Sequence, residues 1–216
     1  MQGHLLNERV VSGGVVALCK YKSVRWLFIF MLFIWFSTAL SYYVLHFNIA
    51  HFLGSPSIIG MIMGSCETVA CFFAIFLMER GRKICLVVSL VAATVACIGA
   101  TASEYYSMVL QSIFLGLMRF GLAAAFDVVF TLTSELFPTV VRSSAFGACS
   151  TLSRISSMMA PAIVEVGMEM DIQPLIGISV VLVVNAICSL KIPETLNRDL
   201  PDYIEEEKQE LNESIR

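Results

Sequence analysis

The chain is poor in charged residues. Asp, Glu, Lys and Arg make up 14% of its 216 residues, whereas a soluble domain carries about 25%. Apolar residues account for 57% of the sequence, and the mean hydropathy is +0.80. This composition excludes an ordinary soluble globular protein and is typical of a membrane protein. We expect membrane lipid to be a partner and nucleic acid not to be one.

The sequence also lacks the motifs of several enzyme and metal-binding classes. Its seven cysteines have no CxxC spacing of the kind that binds zinc. No Ser–His–acid arrangement and no nucleotide-binding loop occur, and His46 and His51 stand without acidic neighbours. The sequence therefore predicts no enzymatic activity, no cofactor and no metal site.

Long apolar runs are what the sequence has in abundance. A spanning helix needs about 20 mainly apolar residues, and open strands do not cross hydrocarbon because their backbone groups would stay unpaired. The pattern predicts an all-α membrane protein with a bundle of six transmembrane helices. The predicted spans are 25–45, 57–78, 84–103, 106–133, 143–164 and 173–192.

The distribution of basic residues predicts how these spans are oriented. Of fourteen Lys and Arg residues, twelve lie outside the spans or at their ends, and the connections 46–56, 104–105 and 165–172 contain none. Because basic residues concentrate on the cytosolic side, both termini are predicted to be cytosolic. Residues 1–24 would be a cytosolic N-terminal segment, of which the first twenty residues show no clear structure, and 193–216 a cytosolic acidic tail.

Opposite charges mark three of the predicted cytosolic corners. Arg82 follows the second span, Glu135 and Arg142 follow the fourth, and Glu194 follows the sixth. Surface ion pairs contribute only about 0–1 kcal/mol each to stability. We therefore interpret these residues as gating charges that hold the inner face closed and separate when helices tilt. The alternative is that they are ordinary charges that fix the orientation of the loops.

Several segments resemble a known transporter family. SELFPTVVR, the later STLSRISSMMAP and the final KIPETLNRDLPDYIEE are similar to the organic cation/anion/carnitine transporters, solute carrier family 22 of the major facilitator superfamily. WFSTALSYYVLHFN and GSCETVACFFAIFLMERGRK resemble that family's seventh and eighth helices. The resemblance covers residues 20 to about 207 and corresponds to the second six-helix half of a twelve-helix fold.

The resemblance implies a plasma-membrane carrier for small organic ions that works by alternating access between two halves. It also implies that the sequence is a fragment or a half-length product, and that the N-terminal six-helix half, or a partner supplying it, is missing. Two alternatives remain. One is a sugar-porter-like carrier, which shares the Glu-x-Phe-Pro and Pro-Glu-Thr corners. The other is a non-transporting half that associates with a complete carrier.

Arg154 is the most informative of the ionisable residues inside the predicted spans, which also include Glu67, Arg119 and Asp127. A guanidinium at the bilayer centre costs about 2.5–3.5 kcal/mol. Arg154 either forms a permanent pair with Asp127 or Glu67, or faces the path and binds an anionic group bidentately. The resemblance favours the second reading, since anion and carnitine transporters of the family tend to have arginine there.

Asp127 and the aromatic residues complete the predicted site. In the family the position of Asp127 is usually neutral, so a carboxylate there either binds a cationic group of a zwitterion or cancels Arg154. Trp35 and Tyr42 are seven residues apart and share a helix face, which serves either a cation-binding wall or helix packing. The predicted substrate-binding residues for an organic anion or zwitterion are Arg154, Tyr42, Glu67, Phe126, Asp127 and Trp35.

Overall fold

The computed structural model describes residues 14–52, 55–103 and 106–196, and every regular element within these ranges is helical. The prediction of an all-α fold is thereby confirmed for the part of the chain that is described. A 3-10 turn at Asn48–His51 follows the second helix. The helices are α1 (Gly14–Lys20), α2 (Lys22–Phe47), α3 (Pro56–Met78), α4 (Arg82–Ser103), α5 (Met108–Leu136), α6 (Thr139–Glu169) and α7 (Pro174–Ser189).

Four segments are long and apolar enough to cross a membrane, namely Val24–Ala50, Pro56–Met78, Arg82–Ser103 and Met108–Leu136. The chain is therefore a multi-pass helical membrane protein. Helices also occupy the fifth and sixth predicted spans, but they differ from the prediction in opposite ways. α6 has 31 residues, which is long enough, but its sequence is too polar for it to be among the segments that could cross a membrane. α7 is strongly apolar but has only 16 residues, about 24 Å against a hydrocarbon core of about 30 Å.

The N-terminal segment is more ordered than the sequence predicts. Residues 1–13 lie outside the described part of the chain, but 14–20 form α1, which packs against α6. The side chain of Leu18 is completely buried in this contact region. A helix of seven residues is unstable by itself, so packing against α6 is what stabilises it. The prediction of an unstructured segment is wrong for this stretch, because the partner surface is far away in sequence.

The corner between the fourth and fifth spans is tighter than predicted. α5 continues to Leu136 and α6 begins at Thr139, so the link consists of Phe137 and Pro138 alone. Phe137 is fully buried, and its ring lies 6.2 Å from that of Phe28. Glu135 is thus in the last turn of α5 rather than in a loop, and its position is fixed by the helix.

α2 is the central helix of the bundle. It contacts α5, α6 and α7, and its apolar residues are buried on several sides. Two buried polar bonds fix its rotation. The Trp35 indole N–H donates to Thr133 of α5 at 2.8 Å, and the Asn185 amide of α7 donates to Thr38 at 3.0 Å. Such bonds between helices are worth about 0.6–2 kcal/mol in a membrane.

α5 approaches α4 closely at Gly121. A Cβ atom at this position would lie 2.7 Å from the Ser89 carbonyl oxygen and 2.9 Å from the Ala93 backbone nitrogen. Only a residue without a side chain permits this separation, as is common where membrane helices meet.

Gly121→Ala is therefore expected to lower the thermal unfolding midpoint of the detergent-solubilised protein, because overpacking typically costs about 1–3 kcal/mol. Gly60→Ala is the matched control, since nothing lies within 4 Å of the added methyl group. A midpoint for Gly121→Ala equal to that of the control would contradict the close approach of α4 and α5.

Candidate functional site

The centre of the bundle contains a buried ion pair between Arg119 of α5 and Glu67 of α3. The Arg119 Nε and Nη2 atoms donate to Glu67 Oε2 at 3.0 and 2.8 Å. The Arg119 side chain is 8% exposed and that of Glu67 is 33% exposed. A guanidinium in this position needs a counter-charge, because an unpaired buried ion is strongly unfavourable.

Tyr42 of α2 forms hydrogen bonds with both members of this pair. Its hydroxyl donates to Glu67 Oε1 at 2.6 Å and accepts from Arg119 Nη2 at 2.5 Å. The guanidinium carbon also lies 3.6 Å from the centroid of the Tyr42 ring, a cation–π contact. Both carboxylate oxygens of Glu67 are therefore occupied, and the three residues tie α2, α3 and α5 together.

A cavity of about 240 Å³ lies beside these three residues. α2, α3 and α5 all contribute to its wall. Its size is just below the range of about 300–1,000 Å³ that is usual for small-molecule sites, so it suits a small ligand. The lining residues are Tyr42, Tyr43, Glu67, Cys71, Ala123, Phe126, Asp127 and Phe130.

Asp127 is the other carboxylate of this cavity. The Cys71 thiol lies in the same cavity wall, but a thiol is a weak donor. The ion pairs of the described residues join Arg82 with Glu135 and Arg119 with Glu67, and Asp127 takes part in neither. The negative charge of Asp127 is thus left without a basic partner, in contrast to that of Glu67.

Four of the six predicted substrate-binding residues line this cavity, namely Tyr42, Glu67, Phe126 and Asp127. Trp35 is 1% exposed and lies behind the wall, where it packs edge-on against Phe126, Phe130 and Phe146. It therefore supports the aromatic wall rather than forming it.

Arg154 lies apart from the cavity. The buried side of α6 includes Ala145, Cys149 and Ser156. Arg154 is nine residues from Ala145, which is two and a half helical turns at about 3.6 residues each, and so it points to the opposite side. Its side chain is exposed. The predicted alternative of a permanent pair with Glu67 or Asp127 is not what the structure contains, because Glu67 pairs with Arg119.

Sequence reasoning missed several lining residues, although two of them follow a readable spacing. Cys71 is four residues from Glu67 on α3, and Phe130 is four residues from Phe126 on α5. Residues four apart share a helix face, so both could be inferred once their neighbours were chosen. Tyr43 adjoins Tyr42 and has no such signal.

The predicted gating charges lie at the end of the bundle where α4 begins and α5 ends. Arg82 Nε donates to Glu135 Oε1 at 3.2 Å, and the Thr195 hydroxyl donates to Glu135 Oε2 at 2.5 Å. Arg142 does not reach a carboxylate, since its Nε donates to the Phe137 carbonyl at 3.3 Å. One ion pair and one hydroxyl bond therefore connect α4, α5 and the segment after α7.

Glu194 caps the N-terminus of α4 instead of pairing with an arginine. Its carboxylate accepts from the backbone N–H groups of Arg82 at 2.9 Å and of Lys83 at 3.2 Å. Gly81 is required beside it, because its φ is +154° and an added Cβ would lie 2.9 Å from Glu194 Oε2. Burial acts to raise the pKa of Glu194, but backbone hydrogen bonds outweigh it and hold the pKa below its ordinary value.

A helical membrane bundle with a small open cavity, lined by aromatic rings and two carboxylates, has features of a solute carrier. The sequence model of the family described as "Sugar (and other) transporter" matches residues 7–206. "Solute carrier family 22 member 6-A" of Xenopus laevis is 33% identical over 199 residues, which cover 90% of this chain and 35% of the relative. "Solute carrier family 22 member 16" of Bos taurus is 31% identical over 82% of the chain and 31% of the relative.

"Organic cation/carnitine transporter 2" of Rattus norvegicus is 25% identical over 94% of the chain and 36% of the relative. The chain thus spans about a third of the length of these relatives. It belongs to solute carrier family 22 of the major facilitator superfamily. The resemblance inferred from the sequence motifs is confirmed, and the matched relatives are transporters and not enzymes.

Removing either charge of the central pair is expected to destabilise the bundle strongly. Glu67→Met leaves the nearly buried Arg119 uncompensated, which costs about 3–5 kcal/mol for a buried pair, and Arg119→Met should cost less because Glu67 is 33% exposed. The double variant removes both charges, so its loss should be smaller than the sum of the two single losses. Unfolding in detergent, followed by circular dichroism, measures the three values. Simple additivity would show that the pair is not coupled.

The cap formed by Glu194 is expected to weaken at low pH. Its folded-state pKa is below the ordinary value of 4.5, so its stabilisation is present above that value and is lost as the pH falls through the lower, folded-state pKa. The difference in unfolding midpoint between the wild type and Glu194→Gln should therefore shrink from about pH 7 to about pH 3. Glu169→Gln removes an exposed carboxylate elsewhere and is the control. A constant difference would contradict the role of the charge.

Proposed function

We propose that the chain forms one six-helix half of a carrier that moves small organic anions or zwitterions across the plasma membrane by alternating access. The cavity between α2, α3 and α5 is part of its substrate path. α6 and α7 complete the half-bundle, and their contacts with α2 support this assignment. Both termini lie in the cytosol, a placement supported by the distribution of basic residues.

The observation that carries this proposal is the exposed position of Arg154 on α6, the helix that occupies the fifth predicted span. A guanidinium that faces lipid at bilayer depth costs about 2.5–3.5 kcal/mol, and no ion pair among the described residues compensates it. A water-filled path removes the cost, and there the guanidinium meets the anionic group of a substrate. The other wall of the path is supplied by a second six-helix half, in the same polypeptide or in another.

The inner charge network closes this path from the cytosol. Arg82 and Glu135 join α4 to α5, and Glu194 and Thr195 attach the segment after α7 to both. Each contact is partly exposed and therefore weak, which suits a contact that must break in every cycle. Arg142 enters the network when the helix ends move, because one of its nitrogens, Nη2, has no hydrogen-bond partner within the described residues.

Two other functions are weaker candidates. A sugar-porter-like carrier agrees with the description of the matching family, but a neutral sugar offers no partner for the charges of Asp127 and Arg154. A non-transporting half that associates with a complete carrier agrees with the length of the chain relative to its relatives. Transport that depends on Arg154 separates that function from the proposed one.

Arg154→Asp is expected to abolish binding of a small organic anion to the chain in lipid nanodiscs. A hydrogen-bonded charge contributes about 1.5–3 kcal/mol, which is a loss of roughly tenfold or more even before repulsion is added. The probe is 3,3-dimethylbutanoate, and isothermal titration calorimetry measures its affinity. Arg80→Asp reverses an exposed arginine just after α3 and is the matched control.

Uptake is then measured in vesicles that contain this chain together with the first six helices of a family relative. The wild type is expected to accumulate the anion, and Arg154→Asp is expected to abolish this accumulation. Unchanged anion binding and uptake in Arg154→Asp would contradict the proposed role of Arg154. Uptake that occurs only when a complete carrier is present, and that is unaffected by Arg154→Asp, would favour the non-transporting alternative.

A further inference from the structure

We infer that the corner between α1 and α2 is a docking surface for acidic phospholipids of the cytosolic leaflet. This acidic-lipid surface consists of Lys20, Lys22, Arg25 and Trp26. It goes beyond the transport function, because it concerns the lipid around the bundle and not the solute that moves through it. Only the assignment to the cytosolic leaflet rests on the proposed orientation of the chain.

The first argument is the uncompensated positive charge of this corner. Three basic residues occur within the six positions from Lys20 to Arg25, and no acidic residue occurs between Arg9 and Cys66. α6 packs against α1 and has its first carboxylate at Glu165, near its C-terminal end. Neither ion pair of the described residues includes a side chain of the acidic-lipid surface. Basic residues that lie together beside a membrane attract anionic headgroups.

The second argument is the position of these residues at the membrane boundary. The first candidate span begins at Val24, so Lys20 and Lys22 precede it and Trp26 lies in its first turn. Lys22, Trp26 and Ile29 share one face of α2, since residues four and three apart are neighbours on a helix. Lys22 is exposed, Trp26 is 55% exposed and Ile29 is 45% exposed. This face therefore presents an ammonium group, an indole and an aliphatic side chain in the order in which a bilayer presents headgroup, interface and acyl chains.

The third argument is that α1 connects this surface to the bundle. Leu18 is completely buried, whereas Lys20 is exposed. The Lys20 ammonium nitrogen lies 5.0 Å from the centroid of the Tyr21 ring, so the cation is held at the turn between α1 and α2. α1 has only seven residues and needs contacts outside itself to remain helical. An acidic headgroup bound to Lys20 holds α1 from the side away from Leu18 and thereby supports its contact with α6.

The test measures how acidic and neutral lipids compete for the position beside Trp26. The full chain is placed in phosphatidylcholine nanodiscs that contain an increasing share of brominated phosphatidylserine or, in a second series, of brominated phosphatidylcholine. Bromine quenches tryptophan fluorescence over a short distance. The chain has two tryptophans, and Trp35 is 1% exposed, so the difference between the wild type and Trp26→Phe isolates the signal of Trp26. Both leaflets have the same composition, and the result does not depend on the orientation of the chain.

The wild type is expected to prefer phosphatidylserine over phosphatidylcholine by at least about tenfold in relative association constant, because several basic residues act together. Lys20→Gln combined with Lys22→Gln should reduce this preference to about twofold or less. Arg80→Gln combined with Lys191→Gln removes two exposed basic residues at other corners and is the matched control, which should retain the preference. Lys20→Arg combined with Lys22→Arg keeps both charges and should retain it as well, which separates the role of charge from a loss of folding.

Three outcomes would overturn the acidic-lipid surface. The first is a wild type with equal association constants for the two lipids. The second is a preference for phosphatidylserine that survives when Lys20 and Lys22 are both replaced by Gln. The third concerns the acidic tail, which contains Glu205, Glu206 and Glu207 and is the rival occupant of a basic corner. A preference that appears only after these three residues are replaced by Gln would show that the tail, and not lipid, covers the corner in the wild type.

Discussion

The buried charge of Arg119 is the constraint on which the interior of this bundle depends. Its guanidinium is enclosed by three helices and has Glu67 and Tyr42 as its polar partners. A charge in that position is tolerated only if every contact is maintained, because removing one partner leaves an uncompensated ion. The helices α2, α3 and α5 are therefore fixed relative to one another at the level of the cavity. The cavity wall is rigid for the same reason, because Tyr42 and Glu67 are part of it.

The two ion pairs of the described residues differ in the burial of their arginines. Arg119 is 8% exposed and its partner Glu67 is 33% exposed, whereas Arg82 and Glu135 are 25% and 23% exposed. Water screens the outer pair and weakens it, so the elements that it joins can separate while the central helices stay together. Conformational change in this bundle is accordingly expected at the ends of α4 and α5 and not at Arg119.

The places of the apolar helices along the chain were predictable, and the partners of their charged residues were not. The predicted spans 57–78 and 84–103 lie within two residues of α3 and α4, because apolar runs bounded by Gly81 and charged residues leave little choice. The positions along the predicted spans put Glu67 near the level of Arg154, whereas the structure pairs Glu67 with Arg119. Helix rotation decides between the two, and rotation is set by bonds such as that between Trp35 and Thr133, which join residues 98 positions apart.

The separation of Arg154 from Asp127 links the geometry of the bundle to the choice of ligand. The buried side of α6 faces α2, so Arg154 is directed away from the core, while Asp127 lies within the cavity wall. Two opposite charges that cancelled each other would leave a neutral site, and a neutral site has little selectivity for ions. Charges that are held apart by rigid helices do not neutralise each other, so each remains available to a ligand. Under the proposed function, a ligand with opposite charges at its two ends would satisfy both without disturbing the pair between Arg119 and Glu67.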